Sequence, residues 1–451
     1  MVISEKQIEK LEQSRNKLTA TVKAEEVRKV YDEMMREYTK TVRIDGFRAG
    51  HVPASVLERK FGETLRLDAM SRVLEKAMES AMEELEQKPL GFEAPELDGE
   101  PEFALDKDFT FSVSYDVSPS FEAPSLDGLS VTVPTAEVTE EDISKELEQI
   151  RERNAIVVEK SAPAEQGDIV TLSFRELDAE GNELPGTARE DFTFEIGKGL
   201  NLYKFDDEVA GLQAGEEKKF SKSYGDDFEY KELAGRTVSL AVKVSKVKHK
   251  DLPALDDELA QDVSEKYKTL EDLKASVRES LEKSLEATLR GMKEDAILSA
   301  LLEKTSISIP RSMASAELSM RWESLKRDMG MDSDQKMESL MVYSGKTRTG
   351  LYEEWRPGVE KALAGRLLLD ALLAKSGLSV GDEDLEAEYA RQAEGGSMSA
   401  AEIKAEYEKR QSVDYLKERI LERKFFDQAL STVSVAPGEK KSLVDILGRN
   451  Q

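Results

Sequence analysis

From residue 270 onward the apolar positions fall at Leu270, Leu273, Val277, Leu281, Leu285, Leu289, Met292 and Ala296. Their mean spacing of about 3.7 residues suits a straight amphipathic helix better than the strict heptad of a coiled coil. A helix from 270 to 303 would be about 50 Å long at 1.5 Å per residue. Its apolar stripe must pack against something. Similar patterns follow at 311–329, 335–343, 348–376, 382–394, 399–410 and 412–431, punctuated by Pro310, Gly330, Gly377 and Gly395-Gly396. Everything after Pro253 is therefore expected to form helical arms or bundles. Met313, Met320, Met329, Met331, Met337, Met341 and Met398, with Trp322 and Trp355, either fill that core or line an adaptable surface for unfolded chains.

The first half of the chain mixes two periods. Residues 17–23 alternate like a strand, and Val27, Val30, Tyr31, Met34 and Tyr38 lie at helical spacing over 25–40. Pro53 fits the first turn of a second helix. A longer helix is expected over 63–88, then a half-buried strand through Phe109, Phe111, Val113, Tyr115 and Val117. Residues 1–118 read as an α+β head. The first residues, Met1 to Lys6, begin an amphipathic segment and lack the apolar core of a signal peptide. Residues 119–157 read as a connector, extended by Pro119, Pro124 and Pro134 and closed by a charged helix over 139–154 that Thr139 and Asp142 open. Residues 158–249 are β-rich, with strands at 168–174, 192–197 and 237–247, and residues 250–451 are helical. The fold class is α+β multidomain.

Composition narrows the function. The chain of 451 residues carries a net charge of −27, which disfavours broad nucleic-acid or membrane binding. No apolar run approaches the ~18 residues a membrane span needs. Without cysteine there is no disulfide, thiolate nucleophile or Cys-ligated zinc, and cytoplasmic residence is the default expectation. Two histidines, His51 and His249, leave little room for His-based catalysis or transition-metal sites. No carboxylate spacing singles out an acid–base pair, and no Walker A sequence is present.

One segment stands apart: Gly46-Phe47-Arg48-Ala49-Gly50-His51-Val52-Pro53. Two glycines and a proline mark a loop tip. An exposed Phe beside an Arg would make a docking pair, apolar area next to a rigid cationic fork. The alternative is a plain turn whose Phe tucks into its own core. Between residues 36 and 72 there are eight Lys/Arg against five Asp/Glu, a positive island in an acidic chain that suits an anionic partner.

These residues in this order resemble the trigger factor family, bacterial ribosome-associated chaperones, over essentially the whole chain. The loop is close to the family's G-F-R-x-G-K-x-P pattern. Asp168 to Phe174, Gly197-Lys198-Gly199, Ala214 to Glu217 and Leu252 to Glu258 support the match. The resemblance implies a ribosome-binding head over 1–118, a linker and connector helix over 119–157, an FK506-binding-protein-like peptidyl-prolyl isomerase module over 158–249 and a helical substrate-binding domain over 250–451. It implies that Gly46, Phe47, Arg48, Gly50, His51 and Pro53 dock at the exit tunnel of the large ribosomal subunit, on ribosomal protein and rRNA. The clients implied are unfolded nascent polypeptides. No cofactor, metal, covalent catalytic residue or membrane partner is implied, and the free protein can form a homodimer through its head. The chain departs from the family where Ala49 and His51 replace frequent lysines, so its ribosome contact should be weaker and less salt-dependent.

In the β-rich module the resemblance points to Phe174, Phe192, Phe194, Leu202, Phe205, Phe228 and Leu240 as pocket lining. The same residues would serve any small β-module as core. An apolar pocket can lower the ~18–20 kcal/mol isomerisation barrier by desolvating the amide and binding its twisted form. Here Ser173-Phe174-Arg175-Glu176 stands where the family has D-F-T-G, and Leu202-Tyr203-Lys204-Phe205 where it has I-P-G-F. A pocket tyrosine is replaced by Phe228. Charged Arg175, Glu176 and Lys204 must then point away from the pocket. Three readings stay open: an ATP-independent ribosomal chaperone, an isomerase whose arms only gather substrate, and a non-ribosomal holdase or assembly factor.

Overall fold

The computed structural model describes residues 2–448 apart from 46, 48–50, 344, 395 and 397. Its contacts divide the chain into two compact units, Met1–Val133 with Gly291–Gly438 and Pro134–Arg290 with Glu439–Gln451.

The head begins with β1 (Ile3–Leu11) and β2 (Arg15–Val22), followed by α1 (Ala24–Thr41), α2 (Ala54–Glu83), β3 (Glu96–Leu97) and β4 (Phe109–Asp116). The sheet runs β1-β2-β4-β3. Every second residue of β2 is buried, and Leu18, Ala20 and Val22 lie opposite Val113, Phe111 and Phe109. Val27 and Val30 of α1 and Val73, Ala77 and Ala81 of α2 cover that face. Each large apolar side chain so buried contributes about 1.5–3 kcal/mol.

Three sequence expectations change in this half. The amphipathic start of the chain is an edge strand, exposed along most of its length, and its Glu and Lys residues suit an edge that must not recruit another chain. The helices expected on either side of residue 60 are one run, interrupted at Phe61 by a non-helical backbone (φ −131°, ψ 17°). That run stops at Glu83 rather than at 88, because Leu85 closes a turn on Met82 ahead of Pro89.

The connector is more structured than its prolines suggest. It holds β5 (Ser130–Thr135) and α3 (Glu140–Arg153). The capping box forms as expected: the Asp142 N–H donates to Thr139 Oγ1 at 3.3 Å, and the Thr139 N–H donates to the Asp142 carboxylate at 2.9 Å. The β-rich part contains β6 (Ile156–Glu159), β7 (Ile169–Leu177), β8 (Arg189–Glu195), α4 (Asp206–Val209), β9 (Glu217–Ser223) and β10 (Thr237–Asp251). Its sheet is ordered β6-β10-β7-β8, with β9 on the first half of β10.

The helices follow their periodic pattern closely: α5 (Asp257–Val263), α6 (Leu270–Glu303), α7 (Arg311–Asp328), α8 (Asp334–Tyr343), α9 (Arg348–Ser376), α10 (Asp382–Glu394), α11 (Ala400–Lys409) and α12 (Val413–Thr432). α9 continues through Pro357, which forfeits one backbone bond but not the buried stripe Leu351, Val359, Leu368 and Leu372. The chain finishes with β11 (Ser434–Lys440), which pairs with β5, and α13 (Leu443–Leu447). Ile297, Leu301, Leu368, Leu372, Phe425 and Phe426 close the main helical core around β5. Two smaller cores lie apart from it, one on Trp322 and one on Tyr389.

α7 has no cap of its own, since Pro310 offers no side-chain acceptor. Asp116, at the end of β4, supplies one: its Oδ2 accepts the Ser312 N–H at 2.8 Å. A carboxylate there complements the positive end of the helix.

Candidate functional site

The 46–53 loop joins α1 to α2. Two buried residues pin its ends, Ile44 before it and Val52 near its close, both in one core cluster with Tyr31, Met34, Leu57 and Leu65. Across the helix pair Tyr31 donates to Glu58 at 3.1 Å, Tyr38 donates to Asp68, and Arg72 pairs with Glu37 at 2.6 Å. Pro53 caps α2, and its carbonyl accepts from Val56 and Leu57. The loop therefore springs from a rigid base. Phe47 is 42% exposed and takes no part in the core beneath it, so it is not the tucked ring of a plain turn. His51 and Pro53 are exposed too. Gly46, Arg48, Ala49 and Gly50 lie outside the described residues. Downstream, Lys60 sits over the exposed ring of Phe61, 5.6 Å from its centre.

In the β-rich module the seven predicted residues separate by burial. Phe174, Phe194, Phe205 and Leu240 belong to the core; Phe192 and Phe228 are partly covered against it; Leu202 is exposed. Phe174 meets Phe192, Tyr203 and Phe205 edge-on, each at 5.5 Å between ring centres. Sequence reasoning missed Tyr203 and Tyr224. Tyr203 stacks on Phe205 at 6.2 Å, and the Tyr224 hydroxyl donates to the Tyr203 carbonyl at 2.9 Å. The available signal was aromatic density, since Tyr203 stands between Leu202 and Lys204 in the segment already singled out.

Of the three charges expected to point away, Glu176 does not: its side chain is only 12% exposed and turns onto the aromatic cluster, where a hydroxyl partner satisfies it. Glu176 accepts from the Tyr203 hydroxyl at 2.7 Å, Arg175 reaches Glu217 at 3.0 Å, and Lys204 binds the Gly199 carbonyl at 2.6 Å and Glu229 at 2.8 Å. Burial, then the Glu176 contact, pushes the Tyr203 hydroxyl well above its usual pKa. Burial pushes Tyr224 up to about 12. Both hydroxyls stay protonated near neutral pH and can donate hydrogen bonds. Among the described residues no His/Cys/Asp/Glu group is arranged to hold a metal ion.

The helical part exposes apolar surface at two places. One cleft of about 620 Å³ is lined by Leu325, Met329, Met337, Leu340, Met341 and Trp355 among others. A second, of about 950 Å³, lies between α6, α9 and α12, with Tyr415 on its rim. The methionines divide between the two readings: Met337 and Met341 are core, while Met320, Met329 and Met398 are exposed.

An exposed ring above a packed helical base, an aromatic-lined β-module and helices with open apolar clefts are the parts of a polypeptide-binding chaperone. The chain belongs to the trigger factor family: the family model described as bacterial trigger factor protein matches residues 4–150, and that for its C-terminus matches 269–431. A trigger factor of Treponema denticola is 36% identical, over 98% of this chain and 99% of its own length. One from Treponema pallidum is 35% identical over 98% of each chain, and one from Borrelia turicatae 32% identical over 93% of each. A solved chain from work on promiscuous substrate recognition by the trigger factor chaperone aligns with a TM-score of 0.47 at 24% identity, covering 94% of this chain and 99% of that one. The family is one of ribosome-associated chaperones that are generally peptidyl-prolyl isomerases. No described helix is long and apolar enough to cross a membrane.

Proposed function

We propose that this chain holds itself at the exit tunnel of the large ribosomal subunit through Phe47 and Arg48, and shields emerging polypeptides in the clefts of its helical part without using ATP. The observation that carries this reading is Phe47, exposed between the buried anchors Ile44 and Val52. Gly46, Gly50, His51 and Pro53 complete the docking segment; Pro53 caps α2 and His51 is exposed. The contact is with ribosomal protein and rRNA. Release needs no nucleotide, because a client that buries its own apolar surface removes what the clefts bind. The four segments 1–118, 119–157, 158–249 and 250–451 serve as head, connector, isomerase module and client-binding domain. The protein works in the cytoplasm, and the free form pairs through its head.

Ribosome co-sedimentation tests the tether. Phe47→Ala with Arg48→Ala should weaken binding about tenfold or more, as for a hot-spot pair. Ala49→Lys with His51→Lys should tighten it and steepen its salt dependence by about one to two. Unchanged sedimentation of the double alanine variant would overturn the reading and favour a holdase detached from the ribosome.

To the 158–249 module we assign slow prolyl isomerisation. Leu202, Phe192 and Phe228 offer apolar surface to a proline, whereas Phe174, Phe194, Phe205 and Leu240 support it from inside. In a protease-coupled assay on a Xaa-Pro peptide, Leu202→Ala with Phe228→Ala should lower kcat/KM about tenfold. A wild-type rate no faster than the uncatalysed one would refute the assignment.

A further inference from the structure

From Leu233 to Lys250 the chain has no Asp or Glu, yet it holds Arg236, Lys243, Lys246, Lys248 and Lys250. In a protein of net charge −27 this is a marked segregation of charge, and the sheet register turns it into a surface. Thr171 and Thr193 share a hydrogen bond of 2.9 Å, as do Ser221 and Ser239 at 2.8 Å and Ser223 and Thr237 at 2.8 Å, which defines the outer face of the sheet. Lys246 lies opposite Thr171, Lys243 opposite Ser173 and Lys248 opposite Ile169, all on that face. Lys219 joins them from β9, opposite Ala241. A bulge between Val244 and Lys246 keeps the three β10 lysines in line, about 7 Å apart along the strand.

Nearby acids are largely engaged elsewhere. Glu217, beside Lys243, is taken by Arg175 at 3.0 Å. Glu195 is taken by Lys250 and by Lys198. Glu159 lies across from Lys248 without an ion pair to it. Among the described residues Lys219, Lys243, Lys246 and Lys248 have no carboxylate partner.

We propose that this outer face of the β-rich module is a second contact for structured RNA, reading phosphates and not bases. The chemistry selects that occupant. Lysines and hydroxyls on a regular lattice match a phosphate backbone. No aromatic ring lies on this face, so unstacked bases have nothing to stack on. An unfolded client would want a broad apolar area, whereas this face is chiefly lysines and hydroxyls, with Ile169 and, from β6, Val157 between them. The proposal rests on the ribosome tether only in taking the RNA to be ribosomal.

The test is fluorescence anisotropy of the full chain with a labelled RNA hairpin between about 50 and 200 mM salt. Lys243→Gln with Lys246→Gln and Lys248→Gln should weaken binding and flatten the log–log salt slope by about two to three, at ~0.7–0.9 per phosphate contact. Suppression of client aggregation should be unchanged, showing that the fold is intact. Phe47→Ala with Arg48→Ala should leave the lysine-dependent part of hairpin binding in place. If wild type fails to sediment with ribosomes but still binds the hairpin through these lysines, the tether fails and the RNA face stands. Hairpin binding that is absent, or equal in wild type and triple variant, overturns the proposal. So does lysine-dependent binding of polyglutamate without binding of RNA, which would give the face to acidic polypeptides.

Discussion

Trp322→Ala will melt the helical tip formed by the end of α7, α8 and the start of α9, while leaving the rest of the chain folded. Trp322 is fully buried against Met337, Met341 and Leu351. The Arg348 guanidinium lies 4.9 Å from its ring centre, and its indole N–H donates to Asp334 at 2.9 Å. Truncating such a side chain costs about 3–5 kcal/mol. This small core is separate from the one around Ile297 and Phe425, so the loss stays local. Hydrogen exchange should show protection lost over roughly 318–355, and client holding should fall as the adjacent 620 Å³ cleft disperses. Trp322→Phe keeps most of the packing and should lose only about 1 kcal/mol. Unchanged protection in the alanine variant would show that the tip does not depend on this residue.

The second large effect is expected at Glu388 in α10. Its carboxylate is almost fully buried, yet it accepts from Arg391 at 2.6 Å, Gln392 at 3.0 Å and Arg423 at 2.5 Å. Burial alone would raise its pKa, but the hydrogen bonds from Arg391, Gln392 and Arg423 outweigh that and hold it down at about 2. Glu388→Ala strips Arg423 of its partner. The cost should be about 3 kcal/mol, the low end for a broken buried pair, because the Arg391 side chain is 63% exposed. The same pairing predicts an acid limit. A depressed carboxylate stabilises fully above its unfolded pKa of about 4.3 and progressively less as pH falls towards 2. Asp334, also held at about 2, by Lys326 first and then Trp322, is 43% exposed, so solvent screening leaves it a smaller effect. The region around Glu388 should therefore lose thermal stability between about pH 4 and 2, and the one around Trp322 less. With Glu388→Gln, the 382–432 region should start less stable and respond less to acid. An identical acid limb in that variant would count against the pairing.

How much could be read in advance varied with distance along the chain. The long helices after residue 269 were legible nearly to the residue because their apolar period is local and their stops are prolines and glycines; α2 was not, because its break at Phe61 has no such marker. The capping box of α3 was legible for the same reason. β1 was not, because an edge strand exposed to water carries no alternation for burial to select. β5 and β11 were not, because each is short and its partner lies about three hundred residues away in the sequence. In the candidate loop, the residue types were plain from the order of residues. Whether Phe47 faced solvent was not, since that depends on Ile44 and Val52 finding a core made by two other helices. In the module, aromatic content was evident, but the linear pattern did not show that Tyr203 and Tyr224 join the aromatic cluster.

The sequence by itself determined the family, the order of the parts and the period of every long helix, since these rest on contacts between neighbours a few residues apart. The tertiary structure alone decided what each apolar face packs against. It set Asp116 on the bare end of α7, paired β5 with β11, and aligned Lys243, Lys246 and Lys248 on one face through a single bulge. Each of these is settled by packing and register between segments far apart in the chain, where the local pattern carries no information about its partner.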